Sequence, residues 1–227
     1  MIDVDIAGTK VRALNQRLHA LPKDTNERAW RVLNPMGAHS IAAGLTQPIE
    51  VRVEGHVGYY CAGMNKEATV VVNGHCGWGF GENIMSGLVR VTGNASQAVG
   101  ASGHGGMVVV DGDAGARCAI SLKGAAVVVG GSVGHFSAFM AQAGSLVVCG
   151  DAGDNLGDSL YEARLYVRGS VASLGADCVE KKMTPHHLQK LERLLTQAGM
   201  TADPKSFRRY GSARKLYNFH ADHADAY

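Results

Sequence analysis

Along most of the chain, hydrophobic residues come in pairs one position apart, a glycine follows, and the figure returns every 19 residues. The segments VRVEG, VVVNG, VRVTG, VVVDG, VVVGG, LVVCG and LYVRG end at Gly55, Gly74, Gly93, Gly112, Gly131, Gly150 and Gly169. Alternation puts the first and third residues of each triplet on one face of a short strand, and that face must be the interior. Three positions beyond each glycine stand Gly58, Gly77, Ser96, Gly115, Gly134, Gly153 and Ala172, all small. Between them runs a second small apolar column: Val57, Cys76, Ala95, Ala114, Val133, Ala152 and Val171. One unit cannot bury its own valines. Parallel stacking of like strands about 4.8 Å apart gives a continuous core and a continuous hydrogen-bond ladder. The pattern therefore predicts an all-β fold, a right-handed parallel β-helix of about seven 19-residue turns. The hand follows the preference of parallel crossovers. Left-handed helices advance in hexapeptides, and leucine-rich repeats need an L-x-x-L-x-L frame that is missing here. The glycine closing each strand is expected to bend the chain, often at positive φ.

The flanks break the period. Residues 1–26 read as an N-terminal helical segment, because Val11, Leu14, Leu18 and Leu21 have helical spacing. The β-helix is assigned to residues 27–182, its first turn imperfect. Thr184 and Pro185 carry cap and first-position signals for a helix over 183–200 that Gly199 closes. Residues 201–227 are basic and aromatic without a period, and read as an extended arm.

The middle residue of each triplet points outward: Arg52, Val71, Arg90, Val109, Val128, Val147 and Tyr166. An apolar stripe at Val109, Val128 and Val147 needs a cover, either the C-terminal helix or another subunit. These three valines, with Arg208, Arg209, Tyr210, Tyr217 and Phe219 of the arm, form the candidate partner interface.

Composition narrows the chemistry. Thirty glycines and 6% aromatic residues suit tight turns and small buried side chains. A net charge of +2 gives no electrostatic footprint for nucleic acid or a membrane surface. Residues 124–150 carry no charged side chain, yet their glycines keep the repeat register, which a membrane span would not do. The start MIDVDIAGTK has no basic-then-apolar leader, and five scattered cysteines without a C-x-x-C pair suit a reducing cytoplasm. Cys61 and Cys118 share a column three turns apart, too far for a disulfide or a shared metal. His56 and His75 share a column on adjacent turns, but its other members, Asn94, Asp113, Ser132, Asp151 and Ser170, are turn formers. A structural ladder is expected there rather than a metal site. GWGFGE (Gly77–Glu82) lacks the lysine and following helix of a phosphate loop. No G-x-S-x-G is present, and position 2 is isoleucine, so no N-terminal cysteine nucleophile exists. No catalytic, cofactor-binding or metal-ligating residue is assigned.

The repeated glycines, with GHVGYYCAGMNKEATVVVNGHCGWGFGENIMSG, resemble the GXGXG β-helix domain of glutamate synthase large subunits. The likeness is greater to the stand-alone β-helix subunit of three-subunit glutamate-synthase-like enzymes, such as N-methylglutamate synthase (methylamine–glutamate N-methyltransferase). LGDSLYEARLYVRGSVASLGADCVEKKM and FRRYGSARKLYNF resemble that subunit too. The resemblance implies a non-catalytic scaffold between two partners, a class II amidotransferase-like subunit and an FMN-barrel synthase subunit. FMN and an iron–sulfur cluster would then sit in the partner, with no cofactor in this chain. The β-helix subunit of a formylmethanofuran dehydrogenase or formyltransferase/hydrolase complex is the related alternative. An independent carbohydrate-active β-helix enzyme is the alternative from another class; uniform turns and the missing leader count against it.

Overall fold

The computed structural model describes residues 1–8 and 10–214. In chain order these form β1 (Ile2–Asp5), α1 (Val11–His19), β2 (Ala29–Leu33), β3 (Glu50–Glu54), β4 (Thr69–Asn73), β5 (Leu88–Val91) and β6 (Met107–Val110). Then follow β7 (Lys123–Val129), β8 (Ala143–Val148), β9 (Arg164–Val167), β10 (Cys178–Lys181), α2 (Pro185–Gln197), a short 3-10 helix (Pro204–Ser206) and β11 (Arg208–Ser212). All strands join one sheet in the order β1 to β9, then β11, then β10. Neighbours from β1 to β9 are parallel, so the chain winds once per strand as a β-solenoid.

The register follows the sequence period. Val51 lies beside Val70, Val70 beside Val89, Val89 beside Val108, and so on to Leu165, in steps of 19. The inward column from Val53 to Val167 is fully buried. Opposite it, Val57, Cys76, Ala95, Ala114, Val133, Ala152 and Val171 form a second parallel ladder of single bridges. The first turn is longer, since Trp30 pairs with Val51.

Between the two ladders the chain turns through an unusual backbone. Three alternate residues per turn take the left-handed conformation: Tyr60, Ala62 and Met64 in one turn, Arg117, Ala119 and Ser121 in another, Phe136, Ala138 and Met140 in the next. In the turn from Gly77 the first two of these positions are Gly79 and Gly81, and the third is Asn83. The alternation aims successive amides at opposite neighbours. Arg117 N–H donates forward to His135 O, Ala119 N–H backward to Val99 O, and Ser121 N–H forward to Phe139 O. Left-handed geometry costs a non-glycine residue about 1–2 kcal/mol, and here each such residue gains an inter-turn hydrogen bond in exchange.

The closing glycines have a different cause from the one expected. Gly55 has φ +131°, but Gly74, Gly93, Gly112, Gly131, Gly150 and Gly169 do not lie in the positive-φ region. Their backbone presses on the turn before. A Cβ on Gly74 would lie 2.5 Å from Gly55 O, and one on Gly112 would lie 2.1 Å from Asn94 Oδ1. It is close approach between turns that demands glycine.

Both ends differ from expectation. Residues 2–5, read as part of a helical segment, form β1 and add a rung beside β2. Helix α1 follows and buries Leu14 and Leu18 with Trp30 in the main core. Asn15 fastens it by donating to Ser40 O at 2.8 Å and accepting from Ala42 N–H at 3.0 Å. At the far end the supposed arm supplies β11, which lies antiparallel between β9 and β10. Alternation is weak in RRYGS, so its strand character was hidden. It is the docking of both flanks of β11 into open sheet edges that makes it a strand.

Helix α2 has its N-cap at Thr184 and Pro185 at its first position, as the sequence predicts. Its Leu191, Leu194 and Leu195 pack on Met107, Val109, Val128, Val147 and Tyr166 in a second hydrophobic cluster outside the solenoid. Arg90 pins the helix end, donating to Ala198 O at 3.2 Å while paired with Asp111 at 2.8 Å.

Two substitutions separate the two causes of glycine-like geometry. Gly112→Ala forces a clash with Asn94 and should cost about 1–3 kcal/mol. Arg117→Gly removes about 1–2 kcal/mol of strain against about 0.5–1 kcal/mol of added chain freedom, and should leave stability unchanged or slightly higher. Urea unfolding of both variants measures this; a large loss in Arg117→Gly would contradict the strain account.

Candidate functional site

The histidine column is a hydrogen-bond ladder. His56 Nδ1 accepts from His75 N–H at 3.0 Å, and His75 Nδ1 accepts from Asn94 N–H at 2.8 Å. The series continues through Asn94 to Asp113, Asp113 to Ser132, Ser132 to Asp151 and Asp151 to Ser170, each side chain accepting from the next turn's backbone. The two imidazoles stack with centroids 4.9 Å apart. Their Nδ1 lone pairs are thus committed to the backbone. Asp151, which accepts from the Ser170 backbone and hydroxyl, is held below the usual carboxylate range by those bonds. Among the described residues, no group of three or more His, Cys, Asp or Glu is placed to hold a metal ion. No helix among them is long and apolar enough to cross a membrane, and residues 124–150 form β7, β8 and their turns.

The glycines of GWGFGE belong to the same turn geometry: Gly79 and Gly81 are left-handed, and a Cβ on Gly81 would meet Val89 at 2.8 Å. All five cysteines are free and buried. Cys61 and Cys118 occupy one interior column, and burial pushes each thiol up to about 12. Cys76 is also raised, by burial first and then by Cys61.

The candidate interface needs correction. Val109, Val128 and Val147 are at most 1% exposed, because α2 covers them. Tyr210 is 2% exposed and packs in the main core. These four residues offer no surface to a partner, since burial within the chain has already satisfied them. Arg208 is exposed, donating to Gly169 O at 2.8 Å, and half-buried Arg209 donates to Lys182 O. Tyr217 and Phe219 lie outside the described residues.

A different surface emerges at the corner of the early turns. Tyr59, Tyr60, Met64, Trp78 and Met85 are each 44–57% exposed. Tyr59 stacks on His39 at 4.6 Å and leans toward Trp78 and Tyr60, each 6.4 Å away. Beside them a groove of about 400 Å³ is lined by Tyr60, Met64, Glu82 and Asn83, and partial burial raises the Glu82 carboxyl above its ordinary value. The aromatic YY and W at positions 59–60 and 78 were visible in the sequence as members of the turn. Tyr60 alone of the three is left-handed, and no hydrophobic period marks their exposure.

The chain is thus a β-solenoid whose turn residues are engaged in stacking, with an apolar corner left open at Tyr59, Tyr60 and Trp78. It is 58% identical over 225 residues to Protein GlxC of Rhizobium meliloti (strain 1021), covering 99% of each chain. The chain belongs to the GlxC family. No family model matches it.

The buried thiols predict an alkaline limit. The folded state keeps Cys61 and Cys118 neutral up to about 12, whereas the unfolded chain ionises them from about 9. Their contribution is intact below the unfolded value and declines as pH rises between the two. The slope is at most about 1.4 kcal/mol per pH unit for each thiol. Urea unfolding across that window should show a steep fall in the parent protein and a shallower one in the Cys61→Ala/Cys118→Ala variant. Equal slopes would contradict the assignment.

Proposed function

We propose that this chain is a glutamate-synthase-like subunit, the non-catalytic β-solenoid scaffold of an FMN-dependent complex that makes N-methylglutamate from glutamate and methylamine. The open aromatic corner carries the scaffold reading. Five large apolar side chains on the early turns, each nearly half exposed or more and three of them aromatic, are a surface for another protein. The full-length relationship to Protein GlxC and the glycine motifs support placing it beside glutamate-synthase-like proteins. The partners in this reading are a class II amidotransferase-like subunit and an FMN-barrel subunit, assembled in the cytoplasm. In this reading the FMN and an iron–sulfur cluster are held by the FMN-barrel subunit. Within the complex this chain binds and orients its neighbours and supplies no proton or nucleophile.

Co-expression with the two partner subunits tests this. The purified chain alone should be colourless and inactive, and the trimeric preparation should carry the flavin. Tyr60→Asp combined with Trp78→Asp should leave the solenoid folded and reduce co-purification at least about tenfold, as loss of buried aromatic anchors does. A yellow, active isolated chain would sink the scaffold reading, and undiminished co-purification would sink the assignment of this surface.

A further inference from the structure

Helix α2 and the outward face of the sheet enclose a second groove, of about 480 Å³. Its floor is Gly87, Gly106, Gly124 and Gly144, and its lining includes Ser145 and Lys190. The floor glycines are explained by packing, since a Cβ on Gly144 would lie 2.3 Å from Ala125 O. The hydroxyls of Ser145, in its lining, and of Tyr166, on the same sheet face beside it, are not so explained. Ser145 is 1% exposed and Tyr166 fully buried, and neither hydroxyl has a hydrogen-bond partner among the described residues. A buried hydroxyl left unpaired costs about 1–3 kcal/mol.

Positive charge gathers around these two residues. Ser145 pairs in register with Arg164 on β9, and Tyr166 stands two residues further on the same face. Arg209 on β11 is the register partner of Tyr166, and α2 contributes Lys190 and His187. Arg164 and Lys190 are both half-buried, and neither is in an ion pair among the described residues. The groups sense one another. Burial and then Arg164 and Arg193 push the Lys190 ammonium down, and burial followed by Arg209, Arg164, His186 and Lys190 does the same to His187. Arg209 is likewise lowered by burial and by Arg164, against an opposing pull from Tyr166. Crowded cations beside idle hydroxyl donors are the inverse image of an anion.

We propose that the groove at Ser145 and Lys190 is an anion-binding site, taking a small oxyanion, carboxylate or phosphate, on Ser145 Oγ and Lys190 together with the neighbouring Tyr166 Oη and Arg164. The proposal goes beyond the scaffold function and does not depend on it. The oxyanion accepts from both hydroxyls and neutralises two cations that have no ion-pair partner among the described residues. It thereby ties α2 to β8 and β9.

Calorimetric titration of the full chain with inorganic phosphate and, separately, with succinate tests the site, with ionic strength held constant by chloride. Saturable one-to-one binding of either oxyanion is expected, with a matching rise in melting temperature. The stronger of the two identifies the source of the anion. Arg164→Gln and Lys190→Gln should each weaken binding at least about tenfold, as loss of a charge-assisted hydrogen bond does. Ser145→Ala should weaken it several-fold while leaving the anion-free protein as stable or more stable, because an unpaired hydroxyl is removed. Arg12→Gln, on exposed α1, should change nothing. Binding no better than chloride, or unchanged in Arg164→Gln and Ser145→Ala, would overturn the proposal.

Discussion

From β3 to β9 the turns of this molecule are held to 19 residues by the backbone hydrogen bonds between turns. Each strand offers its amides to the strand above and below, the small-residue ladder does so again on the opposite wall, and the corner alternates its amides forward and backward. All three sets close together only when equivalent residues recur at a constant interval. That constraint accounts for the left-handed residues, which are tolerated because the alternation is what lets the corner bond to both neighbours. It also accounts for the glycines, because turns drawn this close leave no room for a Cβ. A residue added within a turn would unpair two ladders at once.

A stack of this kind has two open ends and one exposed sheet face, and the chain spends its irregular segments on them. Helix α1 closes the first end with Leu14 and Leu18, and β10 and β11 complete the other. Strand β11 runs against the direction of the parallel sheet, and so ends the succession that a further parallel turn would extend. The valine face is covered by α2, whose narrow leucine stripe matches the narrow stripe beneath it. With these surfaces covered, the apolar corner at Tyr59, Tyr60 and Trp78 stays exposed.

Much of this was legible in the residues, because a repeat averages its own signal over many turns. The inward valines, the Val57-to-Val171 ladder, the histidine column and the cap of α2 all follow from periodicity and turn chemistry. What escaped notice depends on single, non-repeating encounters. Strand β1 is four residues long, and β11 is recognisable only by the edges it fills. Tyr210 looked like an arm residue because its burial comes from the main core, remote in sequence. The reason for the glycine column was misjudged as conformational, since a sequence shows that a side chain is missing but not which neighbour excludes it. The unpaired hydroxyls of Ser145 and Tyr166 belong to the same class, visible only when the helix is laid over the sheet.

The reach of α2 bears on how the molecule comes apart. In a stack where each turn touches only its neighbours, cooperativity is local, and the ends melt first. Helix α2 touches side chains from β6, β7, β8 and β9 together, and Arg90 on β5 grips its end. It acts as a splint across those rungs, so that none of them can loosen without the others. The turns nearer α1 have no such brace. The exposed aromatic corner lies on the earlier turns, beyond the reach of this splint.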